Sequence, residues 1–167
     1  MGRRSTRLIA GLLGAALAAC SPQAGADRAT APTEDASEAT THPVSGLEII
    51  PVTVDTGEAR HVFRAEVAAS REEQARGLMF RTELGPDEAM IFPSETPTAR
   101  SFYMKNTPIP LDIIFIGVDG RILNIAAMTE PYSLESVYSV GSTSGVLEIA
   151  GGRAEELGIE PGDLVSW

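Results

Sequence analysis

Apolar residues in this chain fall into short runs separated by turn residues. Ile49-Ile50-Pro51-Val52-Thr53-Val54 predicts a strand, and Pro51, lacking a ladder N–H, places it at a sheet edge. Residues 62–68 predict a second strand. Ser70-Arg71-Glu72-Glu73 is a capping box, with Ser at the N-cap and Glu three residues on. Its helix should end near Gly77, and Glu72 and Glu73 sit where the helix dipole favours acids, which explains the pair without a metal. Residues 111–118 are apolar on both faces and predict a central strand. Asp119-Gly120 then precedes Arg121-Ile122-Leu123-Asn124-Ile125, the signature of a hairpin through a type I′ turn. Gly141-Ser142-Thr143-Ser144-Gly145 reads as a loop, residues 145–149 as a strand, and residues 153–157 as a short helix closed by Gly158. Pro161-Gly162-Asp163 is a turn, followed by a closing strand over residues 164–167. The expected fold is mainly β (α+β), a compact β barrel or sandwich with one or two short helices.

The N-terminus has a different character. Arg3, Arg4 and Arg7 precede a short apolar run ending in Leu17-Ala18-Ala19-Cys20. This is the pattern of a secretory signal peptide, too short to span a bilayer. The ending resembles the bacterial lipobox, which implies cleavage before Cys20 and lipidation of that residue. Residues 1–20 are thus expected as a lipoprotein signal peptide. Residues 21–46, rich in Ala, Ser, Thr, Pro and acids, are expected as a disordered tether, with His42 solvated in it. Residues 47–167 form a single β-rich domain. The implied location is the cell envelope, lipid-anchored and facing the periplasm. Ser21 after Cys20 favours the outer membrane under the enteric sorting rule.

Charge and composition narrow the chemistry. The net charge is −10, and losing residues 1–20 removes three arginines and no acids, leaving −13. No nucleic-acid partner is expected of such a chain. Attachment to the membrane must come from the lipid on Cys20, because an acidic body does not cling to anionic lipid. Cys20 is the single cysteine, so structural disulfides, a thiol nucleophile and Cys metal sites are excluded. There is no P-loop, dinucleotide-binding loop or nucleophile elbow, and no cofactor is implied. His61, ahead of Val62-Phe63 in an expected edge strand, reads as a surface or satisfied histidine.

The segment Ser101-Phe102-Tyr103-Met104-Lys105-Asn106-Thr107-Pro108 stands out. Lys105 is the chain's single lysine, against twelve arginines. Lysine offers a compact charge where a guanidinium would not serve. As a strand, 101–106 would turn Phe102 and Met104 inward and Tyr103 and Lys105 outward. Asp112 and Glu148 lie within apolar runs and need partners if buried, for which Arg81 and Lys105 are the candidates. Met79, Met90 and Met104 read as core. Their thioethers also raise the alternative of a Cu(I) site.

Several motifs carry a resemblance. Gly77-Leu78-Met79-Phe80-Arg81, Met90-Ile91-Phe92 and the block from Met104-Lys105-Asn106-Thr107 through Pro110-Leu111-Asp112 are similar to the domain of unknown function 192 family of bacteria and archaea. Asp119-Gly120, Val146-Leu147-Glu148 and Gly158-Ile159-Glu160-Pro161-Gly162-Asp163 fit as well, so the resemblance covers residues 48–167. Tyr103 stands where the family usually has Trp, and Ala89 where it usually has Gly. The resemblance implies a compact β-rich domain and brings no established activity or catalytic residue.

Together these readings point to an envelope binding module for a small polar ligand, a glycan or an envelope protein. Its site is expected around Arg81, Tyr103, Lys105, Asn106, Thr107, Asp112 and Glu148. Two alternatives compete: a hydrolase using Asp112 and Glu148 as an acid/base pair, and a Cu(I) carrier using the three methionines.

Overall fold

The computed structural model describes residues 40–167; the expected signal peptide, Cys20 and residues 21–39 of the expected tether lie outside that range. The chain lays down β1 (Ile49–Asp55), β2 (Arg60–Val67), α1 (Arg71–Arg76), β3 (Glu88–Thr98), β4 (Ser101–Phe102), β5 (Leu111–Gly117), β6 (Ile122–Ala126), β7 (Val137–Tyr138), β8 (Thr143–Ala150), α2 (Arg153–Leu157) and β9 (Leu164–Ser166). Seven strands form one sheet in the order β6-β5-β8-β3-β2-β1-β9, and β4 pairs with β7 alone. All pairings are antiparallel except β2 with β3, the pair whose connection carries α1.

The sheet curls until its edges meet at one end. Arg121 bridges Leu164, the Ile122 N–H donates to the Asp163 carbonyl at 2.9 Å, and the Val165 N–H donates to Gly120 at 2.8 Å. The result is a half-barrel with two cores. The inner core takes residues from all seven strands, among them Val54, Phe63, Ile91, Leu147, Ile114, Ile122 and Val165, and α2 adds Ala154. The outer core is built on the central strands β3, β5 and β8, through Met90, Phe92, Leu111, Ile113, Phe115 and Val146, with Leu123 and Ala126 of β6 and Val137 of β7 packed at its margin. Leu78, Met104 and Phe102 cover it, with Phe102 edge-on to both Phe92 and Phe115. Every residue of β5 is buried, because both its faces are covered. This is the both-faced apolar run expected of a central strand.

The capping box forms as expected. Ser70 Oγ accepts from the Glu73 N–H at 3.2 Å, and Glu73 Oε2 accepts from the Ser70 N–H at 2.7 Å. Other expectations need correction. β1 lies between β2 and β9, not at an edge. Pro51 is tolerated because β9 pairs only with Thr53–Asp55, so its nitrogen faces an unpaired stretch. The Asp119-Gly120 hairpin exists, but Gly120 alone takes a positive φ, at 79°. The Gly117 N–H donates to the Arg121 carbonyl, which makes a three-residue loop with Gly120 at the left-handed position instead of a type I′ turn. The strand expected over 101–106 stops at Phe102, and Thr143 and Ser144 join β8 instead of remaining loop.

The tether expectation also fails at its end. Residues 40–46 are bound to the domain: Thr41 bridges Glu48, and the Ile49 N–H donates to the Thr40 carbonyl. His42 is not solvated. Its Nδ1 lies 3.1 Å from an Arg81 nitrogen and 3.7 Å from Glu66, and its side chain is largely buried. His61 lies on an interior strand, half-buried, with Nε2 sheltered and lacking a hydrogen-bond partner, so it is not a satisfied histidine.

Candidate functional site

The outer face of the sheet carries a cavity of about 250 Å³. One side is the end of α1 and the turn after it, with Gln74, Arg76, Gly77 and Met79. The other side is Arg100, β4 and the segment after β4, with Tyr103, Lys105 and Thr107. The floor is Phe92, Leu111 and Glu148, from β3, β5 and β8. The capping box fixes where α1 starts and Gly77 where it stops, and therefore where this wall stands.

Glu148 reaches the floor through strand alternation. Leu147 and Ile149 point into the inner core, while Val146 and Glu148 point outward. Register sets Glu148 opposite Met90 and Ile113, both in the outer core. No described residue hydrogen-bonds or ion-pairs with its carboxyl group. Burial without a partner cation disfavours the charged form and pushes its pKa up to about 8. At neutral pH Glu148 is therefore mostly a carboxylic acid, able to donate its O–H to whatever enters the cavity.

The wall opposite is cationic. Arg100 is half-buried; its guanidinium donates to Ser94 Oγ at 3.2 Å and Gln74 Oε1 at 3.1 Å, and lies 5.3 Å from the centre of the Phe102 ring. Desolvation lowers its pKa, but a guanidinium remains charged. No carboxylate among the described residues ion-pairs with Arg100, Lys105 or Arg76. In a protein of net charge −10, three cations without an ion-pair partner among the described residues thus surround one cavity whose single carboxyl group is kept neutral by burial.

The sequence-derived site residues separate into groups. Tyr103, Lys105, Thr107 and Glu148 line this cavity together. Phe102 and Met104 point inward and Tyr103 and Lys105 outward, as alternation predicts. Asn106 lies beside the cavity, with a left-handed backbone at φ 58° and its amide 3.7 Å from the Met79 sulfur. Arg81 is elsewhere. It pairs with buried Glu66, which also accepts from Ser45.

Asp112 is not a ligand residue by position. Its Oδ1 accepts from the N–H groups of Met128 and Gly152 at 2.8 and 3.0 Å, and Oδ2 accepts from Ala154 at 2.8 Å. It faces the start of α2, on the side of the sheet away from Glu148. Arg100 and Gln74 were missed, because nothing in their sequence neighbourhoods marks them. Only the tertiary structure brings Gln74 of α1 beside Arg100, just before β4.

The segment 103–107 is held from both sides. The Phe80 N–H donates to the Asn106 carbonyl at 2.7 Å, Tyr132 donates to Thr107 at 3.0 Å, and Met104 donates to Ser133 at 2.9 Å. Phe80 and Tyr132 both adopt positive φ, 65° and 62°, although bulky residues avoid it. Both are also exposed, so no burial offsets that strain, a pattern concentrated at functional sites.

The three methionines lie near one another, Met79 and Met104 in the lining of the cavity and Met90 with Met104 in the outer core, but each sulfur has its own surroundings. Met104 Sδ accepts from Thr129 Oγ1 at 3.2 Å, Met79 Sδ faces the Asn106 amide, and Met90 is packed in the outer core.

The profile of the family described as an uncharacterized ACR, the domain of unknown function 192, matches residues 52–167. The chain belongs to this family. Two solved structures share this family member's fold. A protein of unknown function from Novosphingobium aromaticivorans is 57% identical, with a TM-score of 0.75, covering 76% of this chain and 91% of that one. A protein from Sinorhizobium meliloti, described provisionally as a transcription regulator, is 31% identical, with a TM-score of 0.70, covering 72% of this chain and 94% of that one. No curated protein matches this member of the family.

Proposed function

We propose that the domain is a small-molecule binding module of the cell envelope, anchored through lipidated Cys20, and that its ligand carries an anionic group. The observation that carries this reading is the cavity holding Arg76, Arg100 and Lys105 above an uncharged Glu148. Arg100 spends its hydrogen bonds on neutral partners and keeps its charge uncompensated, which suits an incoming carboxylate or phosphate. Glu148 donates one hydrogen bond from the floor. Phe92, Leu111 and Met79 supply the apolar walls typical of small-molecule sites. The signal sequence and the lipobox-like Leu17-Ala18-Ala19-Cys20 support the envelope location.

The competing readings have less support. Asp112 and Glu148 face opposite sides of the sheet, so they do not flank a common substrate as an acid/base pair. A Cu(I) site has less support because the Met104 sulfur already accepts from Thr129 and the Met79 sulfur faces the Asn106 amide, although both side chains line the cavity. The acidic charge argues against extending a transcriptional role to this chain.

Thermal unfolding of the purified protein against a panel of organic acids and phosphates tests the reading. A ligand at 100 times its Kd adds about 2.7 kcal/mol, roughly 10 °C for a domain of this size. The shift should vanish in Arg100→Gln and weaken in Lys105→Ala. A panel in which neutral compounds alone raise the midpoint would sink the proposal.

A further inference from the structure

The cavity shares its outer wall with a second hollow of about 160 Å³, lined by Thr129, Glu130, Ser133 and Glu135. Phe102, Tyr103 and Met104 belong to both linings. Phe102 and Met104 point inward, so exposed Tyr103 is the surface partition between the two hollows. Its position is set on either side: Phe102 pairs with Val137 in the β4–β7 ladder, and Met104 donates to Ser133. Each hollow alone falls short of the roughly 300–1,000 Å³ of a typical small-molecule site, whereas the two together reach it. A ligand that fills the site therefore crosses Tyr103.

The two hollows differ in chemistry. The first presents cations and a buried acid with no partner. The second presents the acceptors Glu130 and Glu135 and the hydroxyl of Ser133. A ligand that matches both has an anion at one end, a flat face in the middle and several hydroxyl donors at the other. We infer that the ligand is an acidic saccharide of at least two units, its acid-bearing sugar held by Arg100 and Lys105 and the next sugar laid on Tyr103 toward Glu130 and Glu135. The C–H face of a sugar ring stacks on an aromatic ring, and carboxylates accept from pairs of sugar hydroxyls. The inference rests on the anionic-ligand reading above and adds the class and length of the ligand.

Calorimetric titration of the purified protein with glucuronic acid, a glucuronate-containing disaccharide, cellobiose and a non-sugar dicarboxylate decides the matter. The expected result is an acidic disaccharide at least tenfold tighter than glucuronic acid, with no heat from cellobiose. Tyr103→Ala should bring the disaccharide down to the affinity of glucuronic acid, and Tyr103→Phe should keep the difference. Tyr103 is exposed, so an unchanged thermal midpoint verifies that both variants fold. Equal affinity for the single sugar and the disaccharide overturns the inference. Binding of the dicarboxylate without the acidic sugars overturns it while leaving the anionic-ligand reading intact. Absence of binding by every acid removes both.

Discussion

Asp112 and Glu148 sit on hydrogen-bonded neighbouring strands, one position apart in register, yet their carboxyl groups face opposite sides of the sheet. Asp112 pairs in register with Ile149, whose side chain is in the inner core, and Glu148 pairs with Ile113 of the outer core. Strict alternation along β5 and β8 separates them. One carboxylate is consumed by three backbone N–H groups, and the other is left without a partner in a cavity. Two residues with the same sequence signature, an acid within an apolar strand, thus do unrelated work.

Glu148 makes stability depend on pH. Below about pH 4.5, its ordinary value, the carboxyl is protonated in both folded and unfolded chains. Above that, the unfolded chain releases the proton while the native protein retains it until about pH 8. Stability therefore falls as pH rises through this window and levels off beyond it. Hydrogen bonds hold the carboxyls of Asp55 and Glu73 below their ordinary values, so their contributions are lost only on the acid side of the window. Urea midpoints measured at pH 5, 6.5 and 8 should decline in the wild type and lose that slope in Glu148→Gln.

The same ionisation should act on ligand capture. Above pH 8 the floor of the cavity gains a negative charge and loses a donor. Affinity for an organic anion should drop between pH 7 and 9 in the wild type and stay level in Glu148→Gln, as read by titration at each pH.

Asp112→Asn should destabilise the fold by about 3 kcal/mol, because an amide nitrogen replaces one charged acceptor facing backbone donors. Hydrogen exchange should localise the loss to α2 and residues 127–129, which Asp112 ties to β5.

Glu66 and Arg81 form a buried ion pair, with side-chain exposures of 3% and 13%. Arg81→Met alone should cost about 3–5 kcal/mol, since it strands the Glu66 charge, and the double variant Glu66→Leu/Arg81→Met should recover most of that. A double-mutant cycle by chemical denaturation gives the coupling directly. Residues 40–46 should loosen in the single variant, because His42 and Ser45 are held by the same pair.

Ser70→Ala should cost about 1 kcal/mol by removing the cap of α1. Because α1 forms one wall of the cavity, the variant should also weaken anion binding without altering its pH dependence.

Local signals in the sequence determined many of the elements, though not β3 or β7, which were not predicted from it. The double-faced run at 111–118, Ser70 with Glu73, Asp119-Gly120 and Gly158 each act over a few residues, through side-chain alternation, capping or φ preference. The family motifs were legible for the same reason, as was the outward pairing of Tyr103 with Lys105. Only the tertiary structure decided which carboxylate went to which face, since an apolar strand buried on both sides carries no polarity contrast to orient it. It also drew His42 and Ser45 onto Glu66 and Arg81, and it assembled the cavity from Gln74, Arg100 and Glu148. Those residues are distant along the chain and become neighbours through the β2–α1–β3 crossover and the order of strands in the sheet, which no local pattern records.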